Sequence, residues 1–124
     1  MYTMKENCSI RKVANFLGKR WTLLILLELY KGKGKSKWKR FSQVKKSLDN
    51  ITPKILSARL KELKIEKLIE KRVNVKEFPI KSEYRLTGSG EDFINVIKNI
   101  KKWGLKWKKK NKKCNERDCK DCEF

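Results

Sequence analysis

The hydrophobic period of the chain changes after Leu68, and this change constrains the fold more than any other feature. Before it, apolar residues recur every three or four positions, as in amphipathic helices. After it, Val73 and Val75 alternate with polar residues, and so do Tyr84 and Leu86, as in β-strands. A helical stripe then returns. A chain of 124 residues in this order corresponds to one domain of helices with a single hairpin.

Four helices are predicted before the hairpin from their apolar spacing and their capping residues. Ser9 and Ser42 are expected to cap the first and third helices. The second is apolar on nearly every side, which predicts a central buried helix. Residues 32–39, in which glycine and lysine alternate, are predicted to form a loop. The expected helices span about Ser9–Leu17, Trp21–Tyr30, Ser42–Leu48 and residues 52–64.

The start of the fourth helix is the most specific local signal. Thr52 can cap the helix, and Pro53 occupies the first helical position, where a missing N–H costs nothing. Leu56, Leu60 and Leu63 fall within about 60° of arc on a helical wheel and predict one buried stripe. The opposite side carries Lys54, Ser57, Ala58 and Lys61.

A hairpin and a long final helix complete the predicted fold. Residues 76–82 join the two strands as a protruding tip, and Ser89 with Asp92 resembles a capping box for the last helix. A small domain has few partners for so long an apolar stripe. We therefore expect a dimer interface shared with the first helix, the alternative being an intrachain core. The stripe contains Phe93, Val96, Ile97, Ile100, Trp103 and Trp107.

This order of elements predicts an α+β winged helix-turn-helix fold, mostly helical, with a two-stranded β-hairpin wing and a long C-terminal helix. Helix 52–64 would enter the major groove of DNA, and helix 42–48 would cross the backbone. The hairpin tip would reach the adjacent minor groove or the phosphates. The expected domain spans residues 8–108, followed by a tail at 109–124 that is Lys-rich and then Cys-containing.

The charge of the chain supports a nucleic-acid partner. There are 34 Lys and Arg against 14 Asp and Glu, a formal net charge of +20. Residues 31–46 hold eight basic residues and no acid, and residues 98–113 hold nine and no acid. Clustered basic charge marks nucleic-acid-binding proteins, whereas a general lysine bias is the plainer alternative. The chain has no histidine, which excludes Ser-His-Asp, Cys-His and HExxH sites, and we expect no enzyme.

Six parts of the sequence carry a family pattern: Cys8, GKRWTLLIL at 18–26, RFS at 40–42, ITPKILSARLKEL at 51–63, PIKSEYRLT at 79–87 and Trp103. Together they resemble the HxlR-type winged helix-turn-helix regulators, which are related to the MarR group. The resemblance spans about residues 8–107 and implies a homodimeric DNA-binding transcriptional regulator whose first and last helices form the dimer interface. It also implies that a cysteine near the N-terminus can sense oxidants or electrophiles. Two features depart from the family pattern, namely a longer loop at 32–39 and the tail after residue 113.

Residues for DNA contact are predicted from this arrangement. Lys54, Ser57 and Lys61 are candidates for base edges in the major groove. Arg59 lies nearer the buried stripe, and we expect it either to reach a phosphate or to pair with Glu62 or Glu66. Wing residues are candidates for the minor groove or backbone. The predicted DNA-binding set is Thr52, Lys54, Ser57, Ala58, Arg59, Lys61, Arg72, Lys76 and Lys81.

The cysteines leave several interpretations open. Cys8 lies at the start of the first helix, where the positive helix end favours the thiolate that oxidants attack; the alternative is a small buried residue. Cys114, Cys119 and Cys122 have the spacing C-x4-C-x2-C, which suits zinc or an iron–sulfur cluster with Cys8 as a fourth ligand. A disulfide between Cys8 and a tail cysteine, or unremarkable thiols, are the alternatives. No cofactor is required by the fold.

No apolar run is long enough to cross a bilayer, and the N-terminus lacks a signal-peptide core, so we expect a cytoplasmic protein with no membrane partner. The predicted function is a sequence-specific transcriptional regulator that acts on double-stranded DNA as a homodimer. The alternative is a nonspecific architectural DNA-binding protein of the chromatin type. The sequence does not distinguish a repressor from an activator.

Overall fold

The computed structural model describes residues 8–31, 38–76, 78 and 81–108. Within these residues the chain forms a winged helix-turn-helix domain, as predicted. The first half of the domain is helical, and the strands of the wing precede a long last helix. In chain order the elements are α1 (Ser9–Leu17), α2 (Thr22–Tyr30), β1 (Lys39–Arg40), α3 (Phe41–Ser47), α4 (Pro53–Ile65), β2 (Ile69–Asn74), β3 (Lys81–Leu86) and α5 (Gly88–Trp107).

Helix α2 lies at the centre of the core, as its apolar sequence predicts. Ile25 and Leu26 are fully buried, and α2 contacts α3, α4, α5 and β3. The leucine stripe of α4 packs into the same core and is buried as expected. The stripe therefore fixes which side of α4 faces solvent. Its members are Leu56, Leu60 and Leu63.

The sheet has three antiparallel strands in the order β1-β3-β2. Strands β2 and β3 form the predicted two-stranded hairpin wing, and β1 adds a third strand that the sequence did not predict. Lys39 and Arg40 pair with Tyr84 and Glu83 of β3, although the sequence placed residue 39 in a loop. A strand of two residues has no periodicity to detect. The second strand also begins earlier than Val73 and ends before Val75, since the β2 ladder runs from residue 69 to residue 74.

Three of the four predicted helix caps are replaced by other residues, two of them at the starts of α3 and α5. Helix α3 begins one residue before Ser42, and the side-chain oxygen of Gln43 accepts a hydrogen bond from the Arg40 N–H at 2.9 Å. In α5 the cap is Thr87 and not Ser89. The Thr87 hydroxyl accepts from the Gly90 N–H at 3.2 Å and donates to the Lys67 carbonyl at 2.7 Å.

The other two helix starts are close to expectation. The Thr52 hydroxyl accepts from the Ile55 N–H at 3.2 Å, and Pro53 is the first helical residue, which confirms the predicted cap. Helix α1 does begin at Ser9, but the residue in the N-cap position is Cys8, so the prediction that Ser9 caps it was wrong.

The apolar surfaces of α1 and of the second half of α5 are open to solvent in the single chain. Ile94 and Ile97 of α5 are buried against α2, whereas Trp103 and Trp107 are 57% and 66% exposed. No residue of α1 is buried, and its Ile10 is 79% exposed. The described part of the chain contains no helix with the length and apolar character to cross a membrane.

Candidate nucleic-acid interface

Helix α4 presents one polar face to solvent. Because its leucines are locked into the core, Lys54, Ser57, Ala58 and Lys61 are all exposed on the opposite side, as predicted. Thr52 is also exposed, and its hydroxyl serves the helix cap. The structure thus brings the predicted base-reading residues together on one side of one helix.

Arg59 of α4 is held by contacts within the chain. Its Nη1 donates to Glu62 Oε1 at 3.1 Å, and its Nε donates to the Arg20 carbonyl oxygen at 3.3 Å. Of the two roles that the sequence left open, the structure favours pairing with Glu62. Arg59 therefore connects α4 to the turn between α1 and α2 as well as to its own helix.

A second contact joins the same turn to α4. Lys19 Nζ donates to Glu62 Oε1 at 2.9 Å. This hydrogen bond lowers the pKa of the Glu62 carboxyl below its ordinary range, and the positive charge of Arg59 acts in the same direction. The Glu62 carboxylate is thus shared between the helix and the turn. We call Lys19, Arg20, Arg59 and Glu62 the turn–α4 cluster.

The outer face of the sheet carries a stacked aromatic and two guanidinium groups. The Arg72 and Arg85 guanidinium carbons each lie 4.4 Å from the centre of the Trp38 ring. Arg72 Nε also donates to Glu83 Oε1 at 3.0 Å, and Arg85 is paired with Glu70. Arg72, predicted to contact DNA, is half-exposed and held to the sheet by these contacts, and its role at DNA stays a prediction.

The other wing candidates lie toward the tip. Lys76 is exposed in the turn after β2, and Lys81 is half-buried at the start of β3. Residues 77, 79 and 80, between them, lie outside the described residues. The contacts of both lysines with DNA stay predictions.

A cleft of about 440 Å³ opens between α4 and the sheet. We call it the α4–sheet cleft. Phe41 and Tyr84 form its apolar part, and Lys71 Nζ lies 5.9 Å from the centre of the Tyr84 ring. Burial raises the pKa of the Tyr84 hydroxyl, so it is a neutral donor at physiological pH. The polar lining residues are Arg40, Ser42, Ser57, Lys71, Lys81 and Ser82.

Helix α2 carries a buried carboxylate, that of Glu28. Glu28 of α2 has Lys31 Nζ at 3.5 Å from Oε2 and Lys39 Nζ at 3.7 Å from Oε1, and Lys39 also donates to the Glu28 carbonyl oxygen. Burial lowers the pKa of Lys39. Sequence reasoning missed this group. Its only signal was one acid within an otherwise apolar helix.

Cys8 is exposed at the start of α1, which contradicts its interpretation as a buried core residue. The described residues include no group of three or more Cys, Asp or Glu side chains that could hold a metal ion. Cys114, Cys119 and Cys122 lie outside the described residues, as does the Lys-rich segment at 32–37. The metal and disulfide predictions for the tail therefore stay predictions.

Comparisons with known proteins identify relatives that are helix-turn-helix regulators. A family model described as HxlR-like helix-turn-helix matches residues 16–112. The HTH-type transcriptional regulator YvaP of Bacillus subtilis is 35% identical over 96 residues, which cover 77% of this chain and 83% of YvaP.

Solved structures of regulators show the same fold. A MarR-family transcriptional regulator from Porphyromonas gingivalis W83 matches with a TM-score of 0.70 and 31% identity, over 82% of this chain and 94% of that one. The reduced form of the regulator YodB from B. subtilis matches with a TM-score of 0.69 and 31% identity, over 84% and 97%. YodB has also been solved after diamide treatment and with bound quinone.

Proposed function

The chain belongs to the HxlR-like helix-turn-helix family of transcriptional regulators, and we propose that it recognises a specific DNA sequence as a homodimer. The observation that carries this proposal is the exposed polar face of α4. Lys54 and Lys61 supply positive charge on that face. The buried leucines on the other side hold α4 against the core and so fix the orientation of the exposed face. A helix held in this way can present the same donors to base edges at every encounter.

The dimer is supported by the apolar residues that the single chain leaves exposed. These residues include Ile10 in α1, the first described helix, and Trp103 and Trp107 in α5, the last. All three side chains are more than half exposed. Large exposed aromatics on a small domain are typical of protein interfaces. Association through α1 and α5 would cover them, and would set two α4 helices about 34 Å apart for half-sites one helical turn apart.

A response to oxidants or electrophiles through Cys8 is the second part of the proposal. Cys8 is exposed and begins α1, and the turn–α4 cluster links the far end of α1 to α4. An oxidant such as diamide or a peroxide would take two electrons and two protons from Cys8 and a tail cysteine of the partner subunit, leaving a disulfide. Formation of this disulfide would displace α1, and the displacement would be transmitted to α4 through Lys19 and Arg20.

A nonspecific architectural protein is the competing function, and the net charge of +20 is the observation that favours it. The two differ in the ratio of affinities for specific and unrelated DNA. We expect selection from a random DNA pool to recover a near-palindromic sequence that binds about 10³-fold or more tightly than unrelated DNA at the same salt concentration. Recovery of no consensus, with equal binding to all duplexes, would favour the architectural function.

A further inference from the structure

The tip of the wing carries apolar side chains that the domain leaves uncovered. Phe78 is 99% exposed, the highest value among the large apolar residues in the described part of the chain. Val75 and Val73 are 74% and 45% exposed. We call Val73, Val75 and Phe78 the wing-tip cluster. Neighbouring apolar side chains exposed together indicate a surface that contacts a partner.

The two strands of the wing hold this cluster at a defined place. The β2–β3 ladder continues from the pair Ile69 and Leu86 to the pair Asn74 and Lys81, so residues 75–80 form the tip. At the other end of the ladder Ile69 and Leu86 are buried in the core. The base of the hairpin is therefore fixed, and Phe78 lies at the end that projects from the domain.

The charge and the position of the tip indicate the partner. Residues 71–81 hold four basic residues and one acid, which favours an anionic partner over a purely apolar one. Ser57 of α4 lines the same cleft as Lys81 and Ser82 of the wing, so the wing is a neighbour of the exposed polar face of α4. A duplex that receives α4 in its major groove brings its adjacent minor groove toward a neighbouring element.

We infer that Phe78 inserts between two stacked base pairs from the minor groove and bends the DNA at that step. Apolar wedges of this kind, phenylalanine among them, unstack base steps and kink the duplex in several minor-groove-binding proteins. This inference rests on the proposed function. It adds a distortion of the DNA that contacts of α4 with base edges and of the wing with phosphates do not require.

A wedge would let the chain select sequence without a hydrogen bond to any base. The free energy needed to unstack a step depends on its sequence, and the pyrimidine–purine steps TA and CA/TG are the most easily kinked. We therefore expect such a step at a fixed position in each half-site of the selected sequence. Replacing it with a step of a stiff A-tract should weaken binding of the wild type by about tenfold.

The experiment measures unstacking and bending directly on the selected duplex. The fluorescent adenine analogue 2-aminopurine, whose emission rises when it is unstacked, is placed at one position after another, with the protein at saturating concentration. Energy transfer between dyes at the two ends of the duplex reports the bend. With the wild type we expect a rise in emission at one step in each half-site and a bend of about 20–90°.

Variants of Phe78 assign the wedge to this side chain. Phe78→Ala should abolish the rise in emission, reduce the bend and lower the affinity by about tenfold, the effect of losing one aromatic stacking contact. It should also lose sensitivity to the A-tract replacement, whereas Phe78→Leu should retain part of each effect because leucine can also act as a wedge. Since Phe78 is almost fully exposed, the unfolding midpoint of both variants should equal that of the wild type.

Ile65→Ala is the matched control, because Ile65 is an apolar side chain 66% exposed at the end of α4, outside the wing. It should keep the emission, the bend and the A-tract effect. A wild type that binds the selected sequence without unstacking any step would overturn the inference and leave the proposed function intact. Equal unstacking by the wild type and Phe78→Ala would overturn it too. Failure of the wild type to prefer any sequence would overturn both.

Sedimentation without DNA tests a second copy of the chain as the other occupant of the tip. We expect Phe78→Ala to have the same mass as the wild type at micromolar concentration. A lower mass, with unchanged emission and bend on DNA, would show that the wing-tip cluster contacts another copy of the chain, and this result would overturn the inference.

Discussion

Lys19 and Glu62 are 43 residues apart in sequence, and their charged atoms lie 2.9 Å apart. This contact joins the turn after α1 to α4, the helix with the exposed polar face. Arg59 of α4 adds a second link by donating to the Arg20 carbonyl oxygen. A displacement of α1 would be transmitted to α4 through these contacts.

Glu62→Gln should weaken this connection without emptying a core position. We expect DNA affinity to fall by about threefold to tenfold, because α4 is less firmly held, and any effect of oxidation on affinity to become smaller. Binding titrations before and after diamide treatment measure both quantities. Glu66→Gln, at the exposed end of α4, removes the same charge and serves as the control. An unchanged oxidation response in Glu62→Gln would exclude this route.

The same carboxylate gives a pH dependence with a defined sign. The Lys19 hydrogen bond lowers the pKa of Glu62, so its contribution to the free energy of unfolding is present above the ordinary carboxyl pKa and is lost as the pH falls through the lowered value. The difference in unfolding free energy between wild type and Glu62→Gln should therefore shrink below about pH 4.3. Denaturant unfolding at a series of pH values measures it, and a difference constant down to pH 2 would contradict it.

Trp103→Glu should dissociate the proposed dimer. A buried tryptophan at the centre of an interface typically contributes about 2 kcal/mol or more, so the dimer dissociation constant should rise by about thirtyfold. Sedimentation equilibrium at micromolar concentration measures it. Lys102→Glu, one residue away on the opposite side of α5, should leave the mass unchanged. A monomeric wild type would refute the dimer.

Lys54 and Lys76 are expected to differ in what they contact. Lys54→Ala removes a proposed base contact and should weaken binding to the selected sequence by about 1–3 kcal/mol, with a smaller effect on unrelated DNA. Lys76→Ala should weaken both about equally and reduce the slope of log K against log salt by about 0.9. Fluorescence anisotropy on both duplexes at several salt concentrations separates the two. Equal losses for Lys54→Ala would show that it does not read a base.

Cys8→Ser should abolish the response to oxidants. We expect diamide to change the DNA affinity of the wild type and to produce a covalent dimer on non-reducing gels, and to do neither in the variant. Metal content measured in parallel tests the tail cysteines. Zinc or iron that is lost in Cys8→Ser would indicate a metal site, and an unchanged affinity of the oxidised wild type would end the switch proposal.

The sequence predicted those features that depend on residues close together in the chain. The Thr52-Pro53 helix start and the leucine stripe of α4 are of this kind, because their spacing alone specifies a cap and a buried side. The Thr87 cap was missed because Ser89, two residues later, fits the same local pattern. Thr87 is favoured as the cap because its hydroxyl also donates a hydrogen bond to the Lys67 carbonyl oxygen, 20 residues away in sequence.

Features assembled from distant segments could not be predicted in the same way. The α4–sheet cleft joins residues from α3, α4 and two strands, and β1 is defined only by its partners in β3. Glu28 looked like the polar end of an apolar run. Glu28 can be buried because Lys39, eleven residues later, forms an ion pair with its carboxylate and a hydrogen bond with its carbonyl oxygen. No sequence pattern between the two residues predicts this contact.

Glu28 also determines how the chain can vary around it. Lys31 and Lys39 stand on either side of residues 32–37, and both ion pairs end on this one carboxylate, while Trp38 is stacked between two arginines of the sheet. The two flanks of the segment are thus anchored independently of what connects them. Lengthening a connection whose ends are already fixed costs little free energy. Related proteins can therefore carry segments of different length and charge at this point on an unchanged domain, and a fluorescent or affinity label inserted here would leave the rest of the molecule intact.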